Sequence, residues 1–278
     1  MNRLHIFMLL LVASGFQPLS AQKGKLFIIG GGERTLDMVK RMVQESGLDQ
    51  GGYAVVLPMS SQEPDSAVIF TKKQFTELGI DHVYGVFCTK AQANDPAKVD
   101  SITHAKLIYI SGGDQNRFMD AVAGTAVEKA IHEAYRNGAM VGGTSAGAAV
   151  MSAVMITGNA RKKTAYSSTF NTIEADNIET RPGLGMLTKV IVDQHFVKRS
   201  RHNRLISAVL EYPKLKGIGI DESTAILVKG HDAEVVGVSQ VLVYSNTKRS
   251  KKLMKSGKLG ARKMMLDIYL PGDHFSVE

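Results

Sequence analysis

Strand-forming and helix-forming stretches alternate through the first half of this sequence. That alternation predicts an α/β fold, a doubly wound, mostly parallel sheet with an antiparallel C-terminal extension. Three observations carry the prediction. Short apolar runs end in glycine turns at Gly30-Gly31-Gly32, Gly112-Gly113 and Gly142-Gly143. Apolar residues at helical spacing separate most of these runs. Beyond residue 217 strand-like runs follow one another with no helical pattern between them.

Taken in order, Lys25–Ile29 (KLFII) reads as a strand ending in the triple glycine, a tight turn at the strand's carboxyl edge. Leu36, Val39, Met42 and Val43 then recur at helical spacing, with Gly47 as terminator. Tyr53–Leu57 is a second strand, stopped by Pro58, and Asp65 caps a helix through Val68, Ile69, Phe75 and Leu78. Val83–Cys88 and Ala105–Ile110 are the third and fourth strands. Thr125 and Glu128 form a capping box before Val127, Ala130, Ile131, Ala134 and Tyr135. Ala139–Val141 is the next strand, and Ala148–Met151 the helix-forming run beyond its glycine turn. From Ile156 to Leu187 periodicity lapses, as expected of a functional loop over a site. Val190–Phe196 is a strand, Leu205, Ile206, Val209 and Leu210 mark a helix, and Gly217–Ile220 leads into Asp221-Glu222. Thr224–Val228, Glu234–Val238 and Val241–Tyr244 are the antiparallel strands.

With 278 residues and 44% hydrophobic content, the chain can bury one large core. Residues 1–21 stand apart from it. Arg3 precedes the apolar run Ile6–Phe16, too short to span a bilayer, and Leu19-Ser20-Ala21 supplies small residues for cleavage after Ala21. The expectation is a secretory signal peptide followed by a single domain over 22–278, in a secreted or periplasmic protein with no membrane attachment after cleavage. Cys88 is the one cysteine, so an intrachain disulfide, a cysteine zinc site and a cysteine nucleophile are not expected. The net charge is +8, and eight basic residues fall within Lys248–Lys263 with no acidic one. That run reads as a solvated loop, with attraction to an acidic surface as the second reading. No aromatic interleaving or nucleic-acid motif accompanies it, and no H-x-x-x-H or H-E-x-x-H spacing exists, so neither nucleic acid, a metal nor another cofactor is expected.

The chemistry concentrates at Ser145, inside G-x-S-x-G (Gly143–Gly147) between a strand and a helix. Such a turn presents a hydroxyl above the sheet edge, near backbone N–H groups able to hold an oxyanion. Two further polar positions sit at strand ends, His195 and Glu222, where open α/β sheets place ligand sites. A serine needs a base, and an imidazole needs a carboxylate on its other nitrogen; Asp193, Asp221 and Glu222 are all candidate acids. The chain order serine, histidine, acid departs from that of α/β-hydrolases. Arg199, Arg201 and Arg204 follow His195 and suit carboxylate recognition. Gly113 can donate an N–H to an oxyanion, and Gln115 can bind polar groups of a substrate.

Four blocks together resemble the cyanophycinases, serine peptidases with peptidase E, an aspartyl dipeptidase, as a more distant relative. They are G-T-S-A-G-A at 143–148, S-G-G-D-Q at 111–115, D-Q-H-F and R-x-R-x-x-R across 193–204, and G-I-D-E-x-T-A at 219–225. The resemblance implies a class I glutamine amidotransferase-like (flavodoxin-like) fold with serine at the amidotransferase cysteine position. It implies Ser145 as nucleophile, His195 as base and Glu222 as orienting acid; in a serine peptidase so built, the N–H groups of Gly113 and Ala146 are expected to hold the oxyanion. Gln115, Asp193, Gln194, Arg199, Arg201 and Arg204 would line the substrate pocket. It further implies a homodimer that hydrolyses cyanophycin (multi-L-arginyl-poly-L-aspartate) as an exopeptidase, releasing β-aspartyl-arginine. An aspartyl or isoaspartyl dipeptidase and a non-catalytic acidic-polymer-binding protein are the alternatives. The first turn, Gly30-Gly31-Gly32-Glu33-Arg34, departs from the acidic-acidic-Lys pattern typical of cyanophycinases, and Ser200 stands where glycine is common.

Overall fold

The run Lys25–Ile29 (β1) is buried along nearly its whole length, and its side chains alternate between two cores. Leu26 and Ile28 point into one, Phe27 and Ile29 into the other, which puts β1 inside a sheet covered on both faces. The computed structural model describes residues 24–162, 167 and 169–278; the leader expected at 1–21 lies outside the described residues. In chain order β1 is followed by α1 (Leu36–Ser46), β2 (Ala54–Leu57), α2 (Pro64–Thr76), β3 (Val83–Gly85), α3 (Pro96–Thr103), β4 (Leu107–Ile110), α4 (Gln115–Val122), α5 (Ala126–Arg136), β5 (Met140–Thr144) and α6 (Ala146–Ala149). Then come β6 (Val154–Ala160), β7 (Ile178–Pro182), β8 (Val190–Gln194), α7 (His202–Glu211), β9 (Lys216–Ile220), β10 (Thr224–Lys229), β11 (Asp232–Gly237), β12 (Val241–Ser245), β13 (Lys252–Leu253), β14 (Leu259–Gly260), β15 (Met265–Tyr269) and β16 (His274–Ser276).

The main sheet runs β16-β11-β10-β1-β5-β4-β2-β3. Its pairings from β1 to β3 are parallel, and β10, β11 and β16 extend it antiparallel beyond β1. The mixed α/β class and parallel-dominated sheet therefore agree with the expectation. The layout differs in one respect. Strands β8 and β9 leave that sheet for a second one, β15-β12-β9-β8, whose Val190, Val192, Ile218 and Ile220 share a core with α4, α5 and the main sheet. Helices α1 and α2 cover the opposite face of the main sheet, and α7 packs behind the second sheet through Leu205, Ala208 and Val209. Both faces of β8 are thereby covered, Val190 and Val192 by the shared core and Ile191 by the core under α7.

Smaller departures follow from local chemistry. The third strand stops at Gly85, and Cys88 is a buried free thiol whose pKa is pushed up by desolvation. The helix after Ser145 starts at once, at Ala146, rather than at Ala148. The stretch 156–187 holds the β6/β7 hairpin, and residues 163–166 and 168 within it lie outside the described residues. Every basic residue of Lys248–Lys263 is exposed on or beside the β13/β14 hairpin, and among them Lys258 pairs with Glu174 at 3.6 Å.

The Phe27 ring is fully buried beneath α1, with Met38 and Met42 in the same cluster. Phe27→Ala is expected to lower unfolding free energy by about 3–5 kcal/mol, measured by urea denaturation.

Candidate active site

The carboxyl ends of β1, β5 and β4 lie side by side in the main sheet, and the ends of β8 and β9 meet them from the second. Five loops therefore converge at one edge. Ser145 sits directly after β5 with φ 53° and ψ −108°, a conformation rarely taken by a residue with a side chain. Its amide donates to the Ile29 carbonyl (3.0 Å). The glycines on either side are sterically required. A Cβ at 143 would lie 2.4 Å from the Gly147 carbonyl oxygen, and one at 147 would lie 2.3 Å from that of Ile110.

His195 follows β8, also at positive φ (50°), and its amide donates to the Gly30 carbonyl (2.7 Å). Its Nε2 is 2.8 Å from Ser145 Oγ, and its Nδ1 is 2.7 Å from Glu222 Oε1. Of the three candidate acids, Glu222 is the one at the imidazole. Asp221 instead accepts from the Lys198 amide and the Ser239 hydroxyl (2.9 and 2.8 Å), which fixes the loop after β8. Asp193 is fully buried and holds both Arg204 Nε (2.7 Å) and Arg204 Nη2.

The triple glycine is more than a turn. Gly31, at φ 112°, lies flat against the imidazole, since a Cβ there would be 2.2 Å from His195 Cε1. A Cβ on Gly32 would be 2.7 Å from Glu222 Cβ, and the Gly31 carbonyl accepts from the Ser223 amide (2.8 Å). Paired glycines at a strand's carboxyl end were the available signal for this cradle. Nothing in the sequence said which side chains would lie in it.

Burial disfavours the His195 imidazolium, Arg199 and Arg201 repel it, and the bond to Glu222 opposes both. The net effect lowers its pKa from the ordinary 6.5. The ring is thereby neutral near pH 7, with Nδ1 donating to Glu222 and Nε2 free to accept from Ser145. Chemically this is a serine aligned for deprotonation.

A cleft of about 320 Å³ opens beside Ser145. Gly113, Gln115, Gln194, Arg199, Arg201 and Arg204 line it. Asp193 does not; it lies behind the wall, compensating the two buried arginines. Arg201 donates to the Gln194 carbonyl (2.7 Å) and stands 3.8 Å from Asp193. Gln115 has a second task, donating to the carbonyls of Ile156 and Thr157 (3.0 and 2.7 Å). Ala146, fully buried, supplies the amide next to Ser145 at the start of α6. Sequence reasoning missed Asp114 and Asn116 at the start of α4, and Thr157, Gly158 and Asn159 on β6, which complete the lining. The β6 wall bulges between Ile156 and Ala160, and Glu179 holds it by accepting from Thr157 Oγ1 (2.7 Å) and Asn159 Nδ2 (2.8 Å).

Comparison with known proteins bears directly on this site. The family description "Peptidase family S51" matches residues 26–236, a span that holds every lining residue and the aligned serine. The chain belongs to peptidase family S51. It is a serine peptidase, similar to cyanophycinases, and the non-catalytic reading falls away. The cyanophycinase of Nostoc sp. (strain PCC 7120) is 32% identical over 235 residues, covering 82% of this chain and 75% of the relative. That of Geminocystis herdmanii (strain PCC 6308) is 29% identical over 264 residues, covering 91% and 94%. Among solved structures, a peptidase from an acI-B1 Actinobacterium superposes with a TM-score of 0.65 at 23% identity, covering 92% of this chain and 98% of that one. A putative peptidase E from Listeria monocytogenes EGD-e gives a TM-score of 0.53 at 19% identity, covering 78% and 100%. Both show likeness of fold.

The imidazole of His195 is expected to titrate below 6.5 by NMR, and Arg199→Ala, by removing a repelling charge, to move that titration upward. Because the folded pKa is the lower one, this histidine favours the folded state above pH 6.5, and that contribution declines as pH falls through the folded value.

Proposed function

We propose that Ser145, His195 and Glu222 are the catalytic triad of a peptidase that cleaves cyanophycin to β-aspartyl-arginine. The observation that carries this reading is the unbroken chain of hydrogen bonds, 2.8 Å and then 2.7 Å, from Ser145 through His195 to Glu222 at the mouth of an arginine-lined cleft. Cyanophycinases named as relatives, one similar over 94% of its own length, support the substrate. The fold is that of class I glutamine amidotransferases, with serine in the nucleophile turn.

In this mechanism Ser145 Oγ passes its proton to His195 Nε2 as it attacks the aspartyl peptide carbonyl. The amides of Gly113 and Ala146 hold the oxyanion, and Glu222 stabilises the imidazolium. The imidazolium then protonates the leaving amine. Water, deprotonated by His195, releases the acyl group. Arg199, half-buried with no ion pair among the described residues, is the cation best placed to meet a substrate carboxylate; Arg201 and Arg204 sit deeper.

A narrower aspartyl dipeptidase is the second reading, favoured by the peptidase E likeness of the fold. Insoluble cyanophycin and a soluble α-aspartyl dipeptide separate the two when products are identified by mass spectrometry. Release of β-aspartyl-arginine is expected, with Ser145→Ala reducing it by about 10⁴-fold or more at unchanged thermal midpoint. A fully active Ser145→Ala protein would sink the triad, and cleavage of the dipeptide alone would select the dipeptidase.

We also propose a homodimer joined through β15. This strand is a sheet edge and leaves Met265, Leu266, Ile268 and the adjoining Leu270 between 48% and 56% exposed. Sedimentation velocity should find a dimer that Ile268→Asp converts to monomer; a wild-type monomer would end the idea.

A further inference from the structure

The cleft beside Ser145 carries both signs of charge. Three arginines line it, and Asp193 behind the wall compensates the buried pair Arg201 and Arg204. Among its described lining residues there is one carboxylate, Asp114. Asp114 is the residue after Gly113, so it stands one position from the proposed oxyanion donor, and it is exposed to the cleft.

Part of this side chain has a structural task. It is the N-cap of α4, with Oδ1 accepting from the Asn116 amide at 2.7 Å. That task does not call for a charge, since asparagine caps a helix about as well as aspartate. Oδ2 has no hydrogen-bond partner among the described residues. The neighbouring cation Arg181 is engaged elsewhere, with Asp120 (2.5 Å) and Asn116 Oδ1 (3.3 Å). A second acceptor oxygen of this cleft-lining carboxylate is thus uncommitted among the described residues.

A carboxylate on the rim of a cleft that receives aspartyl carboxylates repels them. Its presence is favourable when the ligand also carries a cation. We propose that Asp114 is the subsite for the substrate's guanidinium, and that it sets the preference for arginine-bearing aspartyl substrates over plain aspartyl peptides. This inference rests on the proposed reading of the site and deepens it, for it assigns a residue to the half of the substrate that the arginine wall cannot recognise. A guanidinium suits the geometry because its planar fork can donate to Oδ2 while Oδ1 keeps the helix cap.

The test uses citrulline, the neutral isostere of arginine. Binding of β-aspartyl-arginine and β-aspartyl-citrulline to the Ser145→Ala protein is measured by calorimetry, so that no turnover is needed. The arginine ligand is expected to bind about tenfold or more tightly. In the Ser145→Ala/Asp114→Asn protein, which keeps the cap, that ratio should fall to about one at an unchanged thermal midpoint. Equal binding of the two ligands by the first protein, binding of neither, or a ratio that survives Asp114→Asn would overturn the subsite. Turnover of cyanophycin by the Ser145-bearing protein is read separately. Failure there with discrimination intact would fault cyanophycin as the substrate and leave the guanidinium subsite standing.

Discussion

The active site depends on where β1 ends. Its last residue and the two glycines that follow give three backbone carbonyls to three different partners: Ile29 to Ser145, Gly30 to His195, and Gly31 to Ser223 beside Glu222. One short segment thereby sets the heights of all three proposed triad residues. Side-chain hydrogen bonds of 2.7–2.8 Å tolerate little displacement, so a common backbone support gives better alignment than three independent loops would. Parallel pairing with β5 and antiparallel pairing with β10 lock β1 from both sides. The site inherits the rigidity of the sheet's centre.

The second sheet brings His195. Here β8 packs across the core from β5, and the turn after it folds back over the Gly30–Gly32 loop. Phe196, fully buried against the second sheet's outer core, anchors that turn from the far side. Asp193 adds an electrostatic anchor. Two buried guanidinium groups would be prohibitively costly without it, and with it they form one wall of the cleft.

Much of this was legible in the sequence for identifiable reasons. Apolar runs ending in glycine turns gave the parallel half of the main sheet, and G-x-S-x-G between strand and helix gave the serine. His195 and Glu222 were visible as polar residues at strand ends, but the choice among Asp193, Asp221 and Glu222 required the fold, because all three are acidic and stand at or just beyond strand ends. The second sheet was hidden, since VIVDQ and KGIGI read as buried strands wherever they pack. Helices α3 and α4 are eight residues each, too short for a periodic signal. Their caps were nevertheless written out, Asp95 before Pro96 and Asp114 before Gln115. The β6 wall was expected only as a loop, because its bulge depends on Gln115 and Glu179 reaching it from distant segments.

Three residues of the site, Ser145, His195 and Ser223, have backbone angles that glycine would occupy with less strain, each deviation being worth of order 1–3 kcal/mol. At the first two, glycine would erase the hydroxyl or the imidazole. The most stable sequence for this backbone and the reactive one are therefore different sequences. Any lineage, natural or engineered, that gains thermal robustness by relaxing this edge of the sheet would drift towards a well-folded, inert relative. Of the three, Ser223 alone could be relaxed to glycine without losing a proposed triad side chain; other added stability must come from outside this edge.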